Sequence, residues 1–222
     1  MPRILTPADI ADFRERLCNI AAQLFGEKGH DGFNMRELAK RLGVSAMTPY
    51  RYFTDKDAIL AEVRARAFAN FADWLQEGLA GEPALPLADA YAQFAIREQI
   101  QYRLMFDLTQ REPVSGVFAE AESRARAALT AHADALLARA QLTGDAEFLG
   151  LRLWAMLHGV SSLFLAGKIG SSDLHRALSQ AVSGLVENAA GQAGSAGALD
   201  ARTNAALAGW RIPQAAPVML AE

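Results

Sequence analysis

The chain has 222 residues, 51% of them hydrophobic and 21% charged, which is close to the averages of soluble globular proteins. Its length predicts one large or two small domains, and its single cysteine, Cys18, excludes an internal disulfide. The formal net charge of -3 by itself disfavours nucleic-acid binding, because proteins that bind DNA or RNA are usually basic.

The first predicted helix begins after Thr6. Thr6 is a good N-cap, Pro7 suits the first helical position, and Asp9 lies three residues after the cap. Apolar residues then recur every three or four positions, at Ile10, Phe13, Leu17, Ile20, Ala21, Leu24 and Phe25. This spacing predicts one amphipathic helix that ends near Gly29.

Two short helices are predicted next. Asn34 caps the first, which covers 35–42, and Gly43 ends it by adopting a left-handed conformation. Ser45 caps the second, which continues through about Tyr52. A helix, a turn with glycine and a second helix are typical of a helix-turn-helix motif, whose second helix fits the major groove of DNA.

The rest of the chain also has helical spacing, and strand patterns are almost absent. Asp55 caps a long helix, and further helices are predicted at 87–107, 113–140, 145–168 and 172–189. Residues 191–222 are rich in Gly and Ala and form a predicted tail. Its composition favours disorder or loose docking, and the alternative is an arm that packs through Trp210 and Ile212.

No export or membrane segment is expected. Met1, Pro2 and Arg3 are followed by a mixed polar stretch that lacks the apolar core of a signal peptide. The longest uncharged stretch, 153–167, is shorter than the roughly 20 residues that a membrane span needs. The sequence therefore predicts a cytoplasmic protein with no membrane partner.

Six short segments between residues 10 and 60 share a known pattern. They are AAQLF at 21–25, GHDGF at 29–33, MRELA at 35–39, LGVS at 42–45, YRYF at 50–53 and DK at 55–56. Together they resemble the N-terminal signature of the TetR family of bacterial transcriptional regulators. The resemblance implies an all-α fold: a three-helix helix-turn-helix domain (1–54), then a helical-bundle domain for effector binding and dimerisation (55–190), then the tail.

The resemblance also implies the DNA contacts. Arg36 would contact a base edge or a phosphate, and Arg51 would read a base such as guanine. The residues that would face the groove are Ser45, Ala46, Met47 and Thr48. The residues that would bind phosphates are Tyr50, Tyr52 and Lys56. Three alternatives stay open: Tyr52 packs on the first helix, Lys56 is an ordinary solvated charge, and Met47 is neutral surface. Phe53 is expected to be a core anchor.

Pro49 departs from the family pattern, which usually has an aliphatic residue there. A proline inside a helix removes one backbone hydrogen bond and restricts the residue before it. Because Pro49 falls near the first turn of the predicted helix, the cost is expected to be small. The departure also affects the predicted contact of Thr48, the residue directly before the proline.

Trp154, His158 and Gly159 resemble a TetR C-terminal domain type named for its Trp-His-Gly motif. His158 either makes an internal hydrogen bond beside a core Trp154, or lines an effector pocket as a polar anchor. The candidate effector-binding residues, most of them expected to be plain core, are Phe71, Trp74, Tyr91, Phe94, Tyr102, Phe106, Phe118, Trp154 and His158. The last two helices, 145–168 and 172–189, are expected to pair with a second subunit.

These features predict a homodimeric repressor that leaves a palindromic operator when a small, largely apolar effector binds. The alternative is a helical enzyme or a protein-interaction module that keeps the helix-turn-helix only as scaffold. The histidines lack metal-site spacing, catalytic motifs are missing, and no metal or cofactor is expected.

The net charge is unevenly distributed along the chain. Residues 1–60 carry a net charge of +1 and residues 61–222 one of -4, so the acidity lies away from the predicted DNA face.

Overall fold

The computed structural model describes residues 6–80, 87–106 and 116–180, and no β-strand occurs in these ranges. The helices are α1 (Pro7–Gly32), α2 (Met35–Leu42), α3 (Lys56–Ala80), α4 (Leu87–Arg97), α5 (Gln99–Met105), α6 (Gly116–Arg139), α7 (Ala146–Leu165) and α8 (171–180). The predicted all-α fold is confirmed. The tail at 191–222 and the second half of the helix predicted at 172–189 lie outside the described residues.

The predicted start of α1 is confirmed by a reciprocal cap. The backbone N–H of Asp9 donates to Thr6 Oγ1 at 3.1 Å, and the Thr6 N–H donates to Asp9 Oδ2 at 2.9 Å. These bonds satisfy two donors that the helix itself leaves unpaired. At its other end α1 kinks at Gly29, where φ is 67°, and then continues to Gly32.

The predicted bounds of α2 are also confirmed. The Asn34 side chain accepts a hydrogen bond from the Glu37 N–H at 2.8 Å. Gly43 adopts the left-handed conformation with φ of 69°, and the Val44 N–H reaches back to the Ala39 carbonyl at 3.0 Å. A side chain at Gly43 would be strained in that conformation, so glycine suits the turn.

The helix predicted at 87–107 is instead two helices. It breaks at Glu98, whose φ of -106° and ψ of 45° are not helical, so that α4 ends at Arg97 and α5 begins at Gln99. No glycine or proline marks the break. It turns α5 onto α1, where a Cβ added to Gly26 would lie 3.1 Å from the Ile100 side chain.

The buried apolar residues form two clusters. The first core belongs to the N-terminal helices and includes Leu17, Leu24, Phe25, Phe33, Leu38, Phe53, Ile59, Leu60, Val63 and Leu104. The second core includes Phe68, Phe71, Leu75, Tyr91, Phe94, Tyr102, Met105, Leu129, Leu153 and Leu157. Helices α3 and α5 therefore contribute to both cores and connect the two halves of the molecule.

Helix α7 has one buried and one exposed apolar face. Leu149, Leu153 and Leu157 are buried in the second core, against α6. The outer face exposes Phe148, Leu151, Met156 and Leu163. By length and composition alone α7 is long and apolar enough to cross a membrane. A core helix with a partner on its outer face has the same composition.

The close contact of α6 and α7 depends on Gly150. A Cβ there would lie 3.2 Å from the Thr130 nitrogen and 3.3 Å from the carbonyl carbon of Leu129. Those opposing atoms are backbone, so they cannot move aside as a flexible side chain can. Gly159, on the same helix, faces open space.

We therefore expect opposite effects of alanine at the two glycines. Gly159→Ala should raise the free energy of unfolding by up to about 1 kcal/mol through helix propensity. Gly150→Ala should lower it, because the added methyl group pushes α6 from α7. Urea titration at one protein concentration measures both. Equal stabilisation by the two variants would show that the α6–α7 contact is looser than the structure indicates.

Candidate nucleic-acid interface and aromatic pocket

Ion pairs fix the orientation of α2 against α1. Arg41 donates to both carboxylate oxygens of Glu27, at 3.0 and 2.6 Å, and Glu37 pairs with Lys28 and with Arg41. The hydrogen bond from Arg41 lowers the pKa of Glu27, and the one from Lys28 lowers the pKa of Glu37. Arg41 is thus engaged within the protein, although its charge adds to the positive character of 36–56.

The prediction of a helix from Ser45 through Tyr52 is wrong, because the structure has no α-helix there. Within this stretch only Pro49–Arg51 is helical, as a single 3-10 turn. Pro49 has no N–H to donate to the Ser45 carbonyl, which accepts from the Thr48 N–H at 2.9 Å instead. The Pro49 ring is buried. This proline therefore changes the local backbone more than its position near a first helical turn predicted.

The predicted groove-facing residues lie at the tip of this irregular turn. Ser45, Ala46 and Met47 are exposed, and Thr48 is half-buried. The hydroxyl groups of Ser45 and Thr48 hydrogen-bond each other at 2.9 Å. The turn thus presents a largely apolar tip.

Tyr52 lies against α1. Its ring packs on Phe13 with the centroids 4.6 Å apart, and its carbonyl accepts from Arg14 Nη1 at 3.4 Å. Arg14 also lies over the ring of Phe53, which is 7% exposed and is the expected core anchor. The geometry favours the packing alternative for Tyr52 over phosphate binding.

Lys56 is half-buried at the start of α3. Its Nζ donates to the His30 carbonyl at 3.4 Å, so it is not a freely solvated charge. His30 in turn contacts Asp57 through Nε2 at 2.7 Å. These bonds join the end of α1 to the start of α3.

Three exposed cations on α2 and the following turn remain available to a polyanion. Arg36, Lys40 and Arg51 make no ion pair within the described ranges, and Tyr50 beside them is 48% exposed. Next to Arg51 a groove of about 660 Å³ separates the turn from α1. Its acidic lining residues are Asp9, Asp12 and Glu15. Arg16 and Arg51 line it as well, so the groove carries charges of both signs where the basic face meets α1.

All nine predicted effector-binding residues lie in or against the second core. Their rings form a connected series, with Phe71 touching Tyr91 and Phe94, Tyr102 touching Tyr91, and Phe106 touching Tyr102, Trp154 and His158. Trp74 contacts Phe94 and donates to the Ala90 carbonyl, while Phe118 contacts Phe68. Their packing alone does not distinguish a pocket from plain core.

An open cavity touches only part of this series. It has a volume of about 290 Å³ and is lined by Tyr102, Arg103, Phe106, His158, Ser162, Leu165 and Ala166. Trp154 lines a separate groove of about 800 Å³ between α6 and α7. Phe71, Tyr91 and Phe94 are at most 1% exposed. The small cavity therefore brings together Tyr102, Phe106 and His158 from the predicted set.

Neutral polar groups face this cavity. The Tyr102 hydroxyl hydrogen-bonds His158 Nδ1 at 2.8 Å and lies 3.4 Å from Ser162 Oγ. Burial lowers the pKa of His158, so its ring is neutral at pH 7, and burial raises the pKa of Tyr102. Both alternatives for His158 are thus present together: it bonds internally and also lines the cavity. Sequence reasoning missed Ser162, although it lies four residues after His158.

Two buried polar atoms adjoin the same rings. Tyr91 Oη and Trp154 Nε1 are buried, and the side chains of Trp154 and Tyr102 both lie close enough to the Tyr91 hydroxyl to act on its pKa. Burial raises the pKa of Tyr91 well above its usual range. These atoms thus belong to one buried polar cluster with the Tyr102 hydroxyl.

Arg64 was also missed. It is only 7% exposed, donates from Nη2 to the Met105 carbonyl at 3.3 Å, and lies over the Phe118 ring at 4.8 Å. It links α3 to the end of α5, next to Phe106 in the cavity wall. Across the described residues no group of three or more His, Cys, Asp or Glu side chains is placed to hold a metal ion.

Two family models match the chain. The model described as bacterial regulatory proteins of the tetR family matches residues 18–63, and the tetracyclin repressor-like C-terminal domain matches residues 85–188. An HTH-type transcriptional regulator of Staphylococcus aureus, strain bovine RF122 / ET3-1, is 36% identical over 63 residues, which are 28% of this chain and 34% of that protein. The similarity thus spans about a third of the length of that relative.

Solved structures share the fold over most of the chain. A protein of unknown function from Rhodococcus sp. RHA1 has a TM-score of 0.68 at 22% identity, covering 80% of this chain and 95% of that one. A putative TetR-family transcriptional regulator from Mesorhizobium loti has a TM-score of 0.61 at 22% identity, covering 82% and 98%. At this identity the likeness concerns the fold alone.

Replacing Pro49 should restore a regular helix. In Pro49→Ala the new N–H can donate to the Ser45 carbonyl, so we expect residues 45–53 to become α-helical. Cα chemical shifts and amide exchange measure the change. Pro7→Ala is the control, because the first helical position needs no donor. Unchanged shifts at 46–52 would show that Pro49 is not the cause of the irregular turn.

Proposed function

The chain carries a TetR-family N-terminal domain and a TetR-like C-terminal domain, and on this premise we propose that it is a sequence-specific, DNA-binding transcriptional regulator. The observation that carries the proposal is the exposed turn that follows α2, flanked by cations that make no ion pair within the described residues. Arg36, Lys40 and Arg51 are available to phosphates or base edges, whereas the neighbouring Arg41 is held by Glu27. The basic character is therefore local and compatible with the acidic whole chain.

The proposed DNA contacts fall into two groups: residues that face base edges in the major groove and residues that contact phosphates. Ala46 and Met47 at the tip, with Ser45 and Thr48, face base edges, and Arg36 and Arg51 flank them. Tyr50 and Lys56 contact phosphates from either side of the turn. The sites on two subunits would lie about one turn of DNA apart, roughly 34–36 Å, on a palindromic operator.

We further propose a homodimer formed by 145–168 and 172–189. Phe148, Leu151, Met156 and Leu163 form an apolar outer face on α7 that a second copy would cover. A paired subunit accounts for this face without a membrane, and we place the protein in the cytoplasm, with the DNA. Dimerisation would also double the number of phosphate contacts, which a weakly basic domain needs.

The cavity beside Phe106 is the proposed effector site. Its ring-lined wall favours a small, largely apolar effector, the neutral Tyr102–His158–Ser162 group offers hydrogen bonds, and Arg103 at the rim suits an anionic substituent. The proposed assignment to the Trp-His-Gly type is supported by Trp154 and His158 both touching Phe106.

Helix α5 can carry the response from the cavity to the DNA-binding half. Tyr102 and Phe106 face the cavity, while Leu104 is buried in the first core and Ile100 lies on Gly26 of α1. An effector that prefers a displaced α5 would therefore reposition α1 and release the operator. We propose that the DNA-bound form represses transcription. Arg64 links this movement to α3 through the Met105 carbonyl.

Salt dependence tests DNA binding directly. A duplex selected from a random library by the full chain should bind it with a steep salt slope. Lys56→Ala should reduce that slope by about 0.9 for each phosphate that the lysine no longer neutralises, or about two per dimer. Fluorescence anisotropy measures the slope, with Arg139→Ala as control, because Arg139 is an exposed cation at the end of α6 and outside the proposed dimer segments. Failure to select any duplex would overturn the proposed function and favour the enzyme or interaction-module alternative.

Native mass spectrometry tests the effector site. Purified chain should retain a small molecule, and Ala166→Trp should abolish that mass increment because Ala166 lines the cavity. Ala119→Trp, in the larger α6–α7 groove, is the matched control and should leave the increment unchanged. Loss in the control alone would move the proposed effector site to that groove.

A further inference from the structure

We propose that Met47, with Ala46 beside it, recognises the 5-methyl group of thymine in each half of the operator. This inference rests on the proposed DNA-binding function and adds the chemistry of the base that is read. It would make a thymine·adenine pair the preferred base pair at one position in each half-site.

The tip of the turn offers methyl groups rather than strong polar groups. Met47 is 69% exposed, the highest value among the exposed large hydrophobic residues of the described chain. Ala46 next to it is also exposed. The flanking hydroxyl groups of Ser45 and Thr48 hydrogen-bond each other, so both already have a partner within the protein.

The long polar side chain of the turn stands to one side. Arg51 lines the groove toward α1, together with Thr48, Tyr52 and the carboxylates of Asp9, Asp12 and Glu15. Arg36 and Lys40 lie on α2 rather than on the turn. Met47 is therefore the most exposed large apolar side chain at the turn, with Ala46 exposed beside it and Tyr50 less exposed at 48%.

Thymine is the base that matches an apolar tip. In the major groove each base pair presents hydrogen-bond donors and acceptors, and only thymine adds a methyl group. The unbranched, polarisable side chain of methionine adapts its shape to such a contact. Burying the two apolar groups against each other removes both from water. Cytosine at the same position has only a hydrogen at C5, so this contact would be lost.

The turn is also held in place before DNA arrives. Pro49 is buried, and successive backbone bonds join Thr48 to Ser45, Arg51 to Thr48, and Tyr52 to Pro49, at 2.9 to 3.1 Å. A reading element that is already ordered loses little conformational entropy on binding. The weak contact of one methyl group can thus still discriminate between bases.

The test replaces thymine by deoxyuridine, which lacks only the methyl group. The full chain first selects duplexes from a random library, and a selected duplex is then rebuilt with deoxyuridine at one thymine at a time. One position in each half-site should lose about fourfold in affinity by fluorescence anisotropy, from the burial of one carbon. Met47→Gln should bind the thymine and deoxyuridine duplexes equally.

Val117→Thr is the matched control, because Val117 is a 60% exposed apolar residue on α6. It should keep the wild-type preference for thymine. A selected duplex that shows no loss with deoxyuridine at any position would overturn methyl recognition while leaving DNA binding intact. A loss that persists unchanged in Met47→Gln would assign the methyl contact to another residue and overturn the role of Met47. Failure to select any duplex would overturn the proposed function itself.

Discussion

The continuity of α3 constrains the whole molecule. Its first turns place Ile59, Leu60 and Val63 in the N-terminal core, and its later turns place Phe68 and Phe71 in the second core. An uninterrupted helix transmits rotation along its length, because its backbone hydrogen bonds resist bending. The helix-turn-helix therefore cannot change direction independently of the domain behind it.

The basic character of the N-terminal half depends on where its charged side chains lie more than on its net charge. Acidic side chains on α1 either hold cations, as Glu27 holds Arg41, or border the basic face, as Asp9 and Asp12 do. Exposed ion pairs of this kind contribute little to stability, since water screens them. Their larger effect is to decide which cations stay available at the surface, so a weakly basic domain still has a defined polar face.

Local chemistry made most of the helix boundaries predictable. The caps at Thr6, Asn34 and Gly43 depend on residues three or four positions apart, and the structure has them as the sequence indicates. The sequence underestimates the irregular turn at Pro49, because the Ser45 carbonyl accepts from the Thr48 N–H in place of the missing N–H and a regular α-helix does not form. The break at Glu98 carries no local signal, since it follows from the packing of α5 on α1.

The aromatic pocket, too, could be predicted only in part from the sequence. Hydrophobic spacing predicted which rings lie in the second core, but not which of them border open space. That depends on pairs distant in sequence, such as Tyr102 and His158, and on the angle at which α5 leaves α4. Arg64 was missed because a buried arginine is rare and its acceptor is a backbone carbonyl, which no sequence pattern reveals.

The close approach at Gly150 gives the C-terminal domain a stiff side and a compliant side. At Gly150 backbone faces backbone, so no side chain separates α6 and α7 at this point and their spacing there resists change. Short α5, joined to α4 by a non-helical residue, is the softer wall of the same domain. Mechanical strain from any guest in the cavity would therefore be absorbed on the side that faces the helix-turn-helix.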